Sequence, residues 1–303
     1  MAREIRTGVA DANGIKLAYE DLGNPDDPAV VLIMGFSAQL TQWPLAFCDR
    51  IVEQGYRVIR FDNRDIGLST KLNGTRVDGS RALRVAKFAL GRPSQVPYSL
   101  LDMAQDTIGL IDYLGLAKVH VIGASMGGMI AQILAAQHPQ RVHSLGILFS
   151  STNQPFLPPG DPRILRYMLG GPGRDAEREE RIAFSVQLLK MLNGKKHKFS
   201  DDELHSIVAA DFDRDYSPAG IVRQLNATLG TGSVLGYSKR ITAPTVVVHG
   251  TDDGLLRPAG GKAVARAIPR SSLHLVEGMG HSIPDSVIPE LAELYLANIQ
   301  RFS

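Results

Sequence analysis

Ser125 sits between two glycines in the run V-H-V-I-G-A-S-M-G-G, from Val119 to Gly128. The first residues read as a buried strand, and a helix-period run follows. Between them Gly123-Ala124-Ser125-Met126-Gly127 matches G-x-S-x-G, the pattern of a nucleophile elbow that lifts a serine hydroxyl clear of a sheet edge. So tight a turn puts the serine in strained backbone with positive φ. Residues on either side then approach so closely that only glycine fits, which makes Gly123 and Gly127 steric requirements. The helix from Met126 toward Gln137 would aim its N-terminus at Ser125, where free N–H groups favour an anion. The chemistry implied is acyl transfer through a serine nucleophile.

Such a serine needs a base, and the base needs an orienting acid. Of eight histidines, His281 stands out, in G-M-G-H just after the last strand-like run, Leu273 to Val276. His249 ends a strand and His274 lies inside one, so both read as packed structural residues. His120, His138, His143, His197 and His205 have no comparable context. No pair has metal-ligand spacing with carboxylate or cysteine support, and the reading requires no cofactor. The run Thr245 to His249 leads into Gly250-Thr251-Asp252-Asp253-Gly254, which offers two candidate acids. The residue that is not the acid reads as a turn-stabilising Asx residue. The oxyanion hole needs two N–H donors. Met126 supplies one. The turn after Ala29–Met34, Gly35-Phe36-Ser37, supplies the other through Phe36.

The positioning elements alternate. Strand-like runs at Ile15–Leu22, Ala29–Met34, Tyr56–Phe61, Val119–Ile122, Val142–Phe149, Thr245–His249 and Leu273–Val276 are separated by helix-period stretches. That pattern predicts an α/β protein with a mostly parallel sheet, whose ligands lie beyond the carboxyl ends of the strands. From Ser151 to Tyr237 the alternation stops and helices follow one another. Ala176–Leu192 is one, Ser200-Asp201-Asp202-Glu203 is a capping box opening another, and Pro218 suits the first turn of a third. The expected division is a core of residues 1–150 and 238–303, with 151–237 as a helical cap over the site. Phe156, Leu157, Ile164, Leu165, Met168 and Leu169 would face the site or form the cap's own core.

Residues 71–98 form an unusually long connection, with Arg76, Arg81, Arg84, Lys87 and Arg92 against one acid, Asp78. It reads as a surface helix whose charges are solvated, or as a basic amphipathic arm for lipid surfaces. The 303-residue chain is 44% hydrophobic, carries a net charge of +2 and has one cysteine, Cys48. These values exclude an internal disulfide, give no reason to expect nucleic acid or another charged polymer as partner, and suit the cytoplasm. The N-terminus shows no apolar leader segment, and no run approaches membrane-span length.

Together, V-V-L-I-M-G-F-S-A-Q-L-T-Q-W, V-I-R-F-D-N-R-D-I-G-L-S-T, V-I-G-A-S-M-G-G, V-V-V-H-G-T-D-D-G-L-L-R-P and G-M-G-H resemble the α/β-hydrolase superfamily over nearly the whole chain. The chain looks closest to bacterial esterase and lipase-like members of the aclacinomycin methylesterase type. The resemblance implies an α/β-hydrolase fold with a Ser125-Asp253-His281 triad, since the family places its acid three residues after the strand-ending glycine. That selects Asp253 over Asp252. It implies a carboxylic ester or thioester, a small molecule, as substrate. Cofactor-free perhydrolases or haloperoxidases and carbon–carbon bond hydrolases use the same triad, and a non-catalytic ligand receptor can use the same fold. The F-D-x-R-x-x-G-x-S element, Phe61 to Ser69, implies a structural turn, with no catalytic role for Asp62 or Arg64. Many relatives carry His-Gly where this chain has Met34-Gly35. Ser125 in place of an aspartate nucleophile disfavours dehalogenase and epoxide hydrolase activity, and Met126 lacks the indole that dehalogenases use for halide.

Overall fold

A computed structural model describes residues 4–173 and 175–301. Arg174, inside the expected cap, and the first three residues, on which part of the leader reading rests, lie outside them. The strands are β1 (Ile5–Ala12), β2 (Ile15–Leu22), β3 (Ala29–Ile33), β4 (Arg57–Phe61), β5 (Val119–Ala124), β6 (Val142–Leu148), β7 (Thr245–Gly250) and β8 (Ser271–Val276). They form one sheet in the order β1-β2-β4-β3-β5-β6-β7-β8. The pairs β1/β2 and β2/β4 are antiparallel, and all others are parallel. β1 carries no buried run, which is why its sequence did not announce it. It joins the sheet through the turn at Asn13-Gly14, both at positive φ.

Helices α1 (Leu45–Val52), α2 (Arg81–Ala89), α3 (Leu100–Tyr113) and α4 (Met126–Gln137) fall before β6. Then α5 (Pro162–Gly170), α6 (Arg178–Leu192), α7 (Asp201–Arg214), α8 (Pro218–Thr231) and α9 (Leu235–Ser238) follow one another between β6 and β7. Finally come α10 (Ala259–Ala267) and α11 (Ile288–Gln300). The capping box at Ser200 and Glu203 forms with both reciprocal bonds, and Pro218 opens α8. The central strands are buried on both faces, so alternate side chains enter two separate cores. Val31 and Ile33 of β3 pack with α3 and α4, while Val30 and Leu32 pack with α1 and α11.

Two expectations need correction. α2 presents only part of its charge to solvent, since Arg81 is exposed and Lys87 half-exposed while the central arginine turns inward. Arg84 is buried, donating to Asn226 Oδ1 at 2.8 Å and to the Asp78 carbonyl at 2.6 Å, while Leu83, Val85 and Leu90 are exposed. The underside of the helix rests on polar groups of α8 and the 78–80 turn, so the two terminal nitrogens of the arginine find their partners inward. In addition, His274 is not packed. It lies on the half-exposed edge strand β8 and faces solvent.

His120 of β5 is packed as read, and that has a consequence. Its Nδ1 lies 2.8 Å from Ser144 Oγ and its ring stacks on His143. Burial above all, then the charges of His143 and Lys118, push its pKa down to about 4. An unfolded histidine takes up its proton near pH ~6.5, so stability is complete above that value and is lost as pH falls toward 4. The expected loss is up to about 3 kcal/mol. Urea midpoints of the wild type should drop across this window, and the slope should flatten in His120→Gln. An equal slope in both would refute the assignment.

Candidate active site

β5 ends at Ala124 and α4 begins at Met126, which leaves Ser125 alone to make the turn, at φ 55° and ψ −119°. A Cβ on Gly123 would overlap the Gly127 carbonyl, and one on Gly127 would overlap the carbonyl of Ile33. Gly128 similarly lies against the Cβ of Ser150. The elbow is tied to β6 from both sides. Ser125 N–H donates to the Leu148 carbonyl at 2.9 Å, and Ser150 Oγ donates to the Ser125 carbonyl at 2.6 Å.

His281 follows β8 in a loop held by the helices between β6 and β7. Its N–H donates to the carbonyl of Leu192, the last residue of α6, at 2.8 Å. Its ring lies on Phe149, with centroids 4.3 Å apart. His281 Nε2 is 2.9 Å from Ser125 Oγ, and Nδ1 is 2.7 Å from Asp253 Oδ2. A carboxylate only accepts, so Nδ1 carries the proton and Nε2 faces the serine as an acceptor. Asp253 is wholly enclosed. Its Oδ1 accepts N–H bonds from Leu255 and Leu256, each at 2.9 Å. Burial opposes its ionisation, but the charge of His281 and the bonds from His249 and His281 hold its carboxyl well below the usual range.

Asp252 points elsewhere. Its Oδ2 accepts the N–H of Lys195, in the connection after α6, at 3.0 Å. It therefore ties that connection to the Asp253 loop instead of stabilising its own turn. Met126 opens α4, so no earlier turn of the helix accepts its N–H. Phe36 follows Gly35, whose Cβ, if present, would stand 3.0 Å from Ser125 Cβ. That loop is fastened by Ser37 N–H to Gln224 Oε1 at 2.9 Å and by Asn63 Nδ2 to the Met34 carbonyl at 2.9 Å. Ser125, Asp253 and His281 thus meet at the carboxyl edge of the sheet, with Met126 and the Phe36 loop beside the hydroxyl.

Some contributors carried no readable signal. His249 was read as packing, and its ring is indeed buried, but Nε2 lies 2.6 Å from the Leu256 carbonyl and 3.2 Å from Asp253 Oδ2. The carbonyl fixes the proton on Nε2, so that N–H also faces the acid. Asn63, Phe149 and Gln224 act through contacts that no local pattern encodes. Asp62 takes a structural part, accepting the N–H groups of Leu40 and Leu68 and pairing with Arg214 of α7 at 2.8 Å. Arg64 pairs with Asp106.

A cavity of about 260 Å³ opens onto Ser125 and His281. Met168, Leu188, Leu204 and Val208, from the helices between β6 and β7, form its far wall. Among the described residues its lining includes Asp211 and Asp215 but no lysine or arginine. Of the apolar residues expected at the site or in the cap's core, Met168 reaches the cavity and Ile164 is buried. Phe156 does neither. It is 97% exposed. Leu169 is also exposed.

A sequence profile described as the alpha/beta hydrolase fold matches residues 28–286. The chain is 26% identical to rhodomycin D methylesterase of Streptomyces peucetius, over 94% of this chain and 95% of that one. Among solved structures it is similar to a meta-cleavage product hydrolase from Pseudomonas fluorescens, with TM-score 0.74, 17% identity and 98% of each chain covered. A bromoperoxidase from Bacillus anthracis superimposes equally, with TM-score 0.74, 22% identity and coverage of 97% of this chain and 100% of that one. At such identities the structural likeness speaks for the fold alone.

Proposed function

Because the chain belongs to the alpha/beta hydrolase fold family, we propose that it is a serine hydrolase cleaving carboxylic esters through an acyl-enzyme. The observation that carries this reading is the unbroken line Ser125 Oγ, His281, Asp253, with contacts of 2.9 and 2.7 Å. As Ser125 attacks the ester carbonyl, His281 Nε2 takes its proton, and Asp253 stabilises the imidazolium. The N–H groups of Met126 and Phe36 receive the developing oxyanion. His281 then protonates the leaving alcohol, and in the second half it activates the water that releases the acid. The similarity to a methylesterase supports an ester as the scissile group.

The helices at 151–237 act as a cap, since their side chains close the cavity opposite the nucleophile. Apolar walls with two aspartates, and with no cation among the described lining residues, favour an uncharged acyl or alcohol group and disfavour a substrate that carries its own carboxylate. The test is labelling of the purified chain with a fluorophosphonate probe, followed by a p-nitrophenyl ester series of increasing acyl length. Stoichiometric labelling and a burst of nitrophenol are expected. Absence of labelling would overturn the reading, and so would peroxide-dependent bromination or diketone cleavage that outpaces ester turnover.

A further inference from the structure

The long connection before α3 has an outer face opposite to the one its sequence suggests. On α2, Ala82, Val85, Ala86 and Ala89 recur at helical spacing and are exposed, with Leu83 and Leu90 beside them. Leu83 is 57% and Leu90 58% exposed. The patch extends beyond the helix. Gly91, next to Leu90, lies against the ring of Pro155, and this brings up Phe156, which is held at φ 66° with its side chain almost wholly in solvent. On the other flank α8 packs on α2 through Asn226, and its Val222, one turn earlier, is exposed. Contiguous apolar surface of this kind marks an interaction site.

Charge identifies what it meets. Arg76, Arg81 and Arg92 are exposed around the patch, and Asp78 is the single acid between Lys71 and Tyr98. Lys71 is spent on Asp215. A second copy docked through this face would bring two arginine-fringed patches of like charge together, because a two-fold interface pairs identical patches. An apolar face fringed by arginines instead matches the interface of a bilayer carrying anionic headgroups. We infer that α2, Leu90 and Phe156 form a docking surface for anionic lipid membranes. Ile221, adjacent to the exposed Val222, lines the cavity, so a docked membrane would lie on a helix that also borders the site.

The test is flotation of the full chain with phosphatidylcholine vesicles, with and without phosphatidylglycerol. Wild type should float with the phosphatidylglycerol vesicles and dissociate as salt is raised. Combining Arg76→Gln, Arg81→Gln and Arg92→Gln should weaken binding by about fivefold per arginine. Combining Leu83→Ser, Leu90→Ser and Phe156→Ser should weaken it by at least about tenfold. Hydrolysis of a soluble ester should be unchanged in both, which establishes that they are folded independently of docking. The inference is overturned if wild type floats with neither vesicle, if it floats equally with both, or if neither set of substitutions weakens binding. A dimer in solution that the serine substitutions abolish, without flotation of wild type, would assign the face to a second copy and overturn it likewise.

Discussion

Replacing Ser125 with alanine is expected to reduce kcat toward a soluble p-nitrophenyl ester by about 10⁶-fold, with KM little changed. The size of the effect follows from the geometry. Ser125 Oγ is the atom that faces His281 Nε2, and alanine retains the backbone turn and the surrounding glycine contacts while removing only that oxygen. Alanine tolerates the elbow no worse than serine does, so the protein should remain folded with its cavity intact. Nucleophile and base act as one unit, so the double change Ser125→Ala and His281→Ala should be scarcely worse than either alone. Activity in Ser125→Ala within tenfold of wild type would remove the serine from the mechanism, and additive losses in the double would show that the two residues act separately.

The second large effect is expected at Asp253→Asn, about 10⁴-fold in kcat. The asparagine fits the same volume and keeps an acceptor for the Leu255 and Leu256 amides. It presents an N–H₂ group to a ring nitrogen that is now protonated, and His281 must exchange tautomers to avoid facing donor with donor. Nε2 then carries the proton and cannot accept one from Ser125. Asp252→Asn is the matched control. Its oxygen can still accept the Lys195 N–H, and activity should stay within about threefold of wild type. Because the environment holds the Asp253 carboxyl well below the usual range, protonation of that carboxyl should add no step of its own to the acid limb of kcat/KM. A reversed ranking of the two aspartates in the kinetics would reassign the acid.

Much of this arrangement was readable before any coordinates. The elbow glycines are legible because their requirement is local, since Gly123 and Gly127 must let two backbone segments cross within one turn. The buried strands are legible because a strand covered on both faces needs a continuous apolar run, as β3 and β5 have. β1 is not, because an antiparallel strand at the sheet edge needs no such run. Apolar and basic residues alternate along 81–90, which fixes that the helix has two faces but not which one turns inward. That choice belongs to Asn226, 142 positions downstream of Arg84. Asp252 and Asp253 are equivalent by composition, and only the family's spacing separates them at that level. His249 is hidden for a related reason, because its approach to Asp253 depends on how the 250–256 turn folds back on the end of β7.

The bond from the His281 amide to the Leu192 carbonyl bears on how enzymes of this architecture are re-engineered. Asp62 with Arg214, Asp65 with Arg223, and Asp252 with the Lys195 amide make further attachments between the same two parts. Exchanging the 151–237 segment for one from a relative would therefore do more than reshape the chamber. It would strip His281 of one of its moorings and strand two enclosed carboxylates, so a working chimera must import the matching partners together with the new helices.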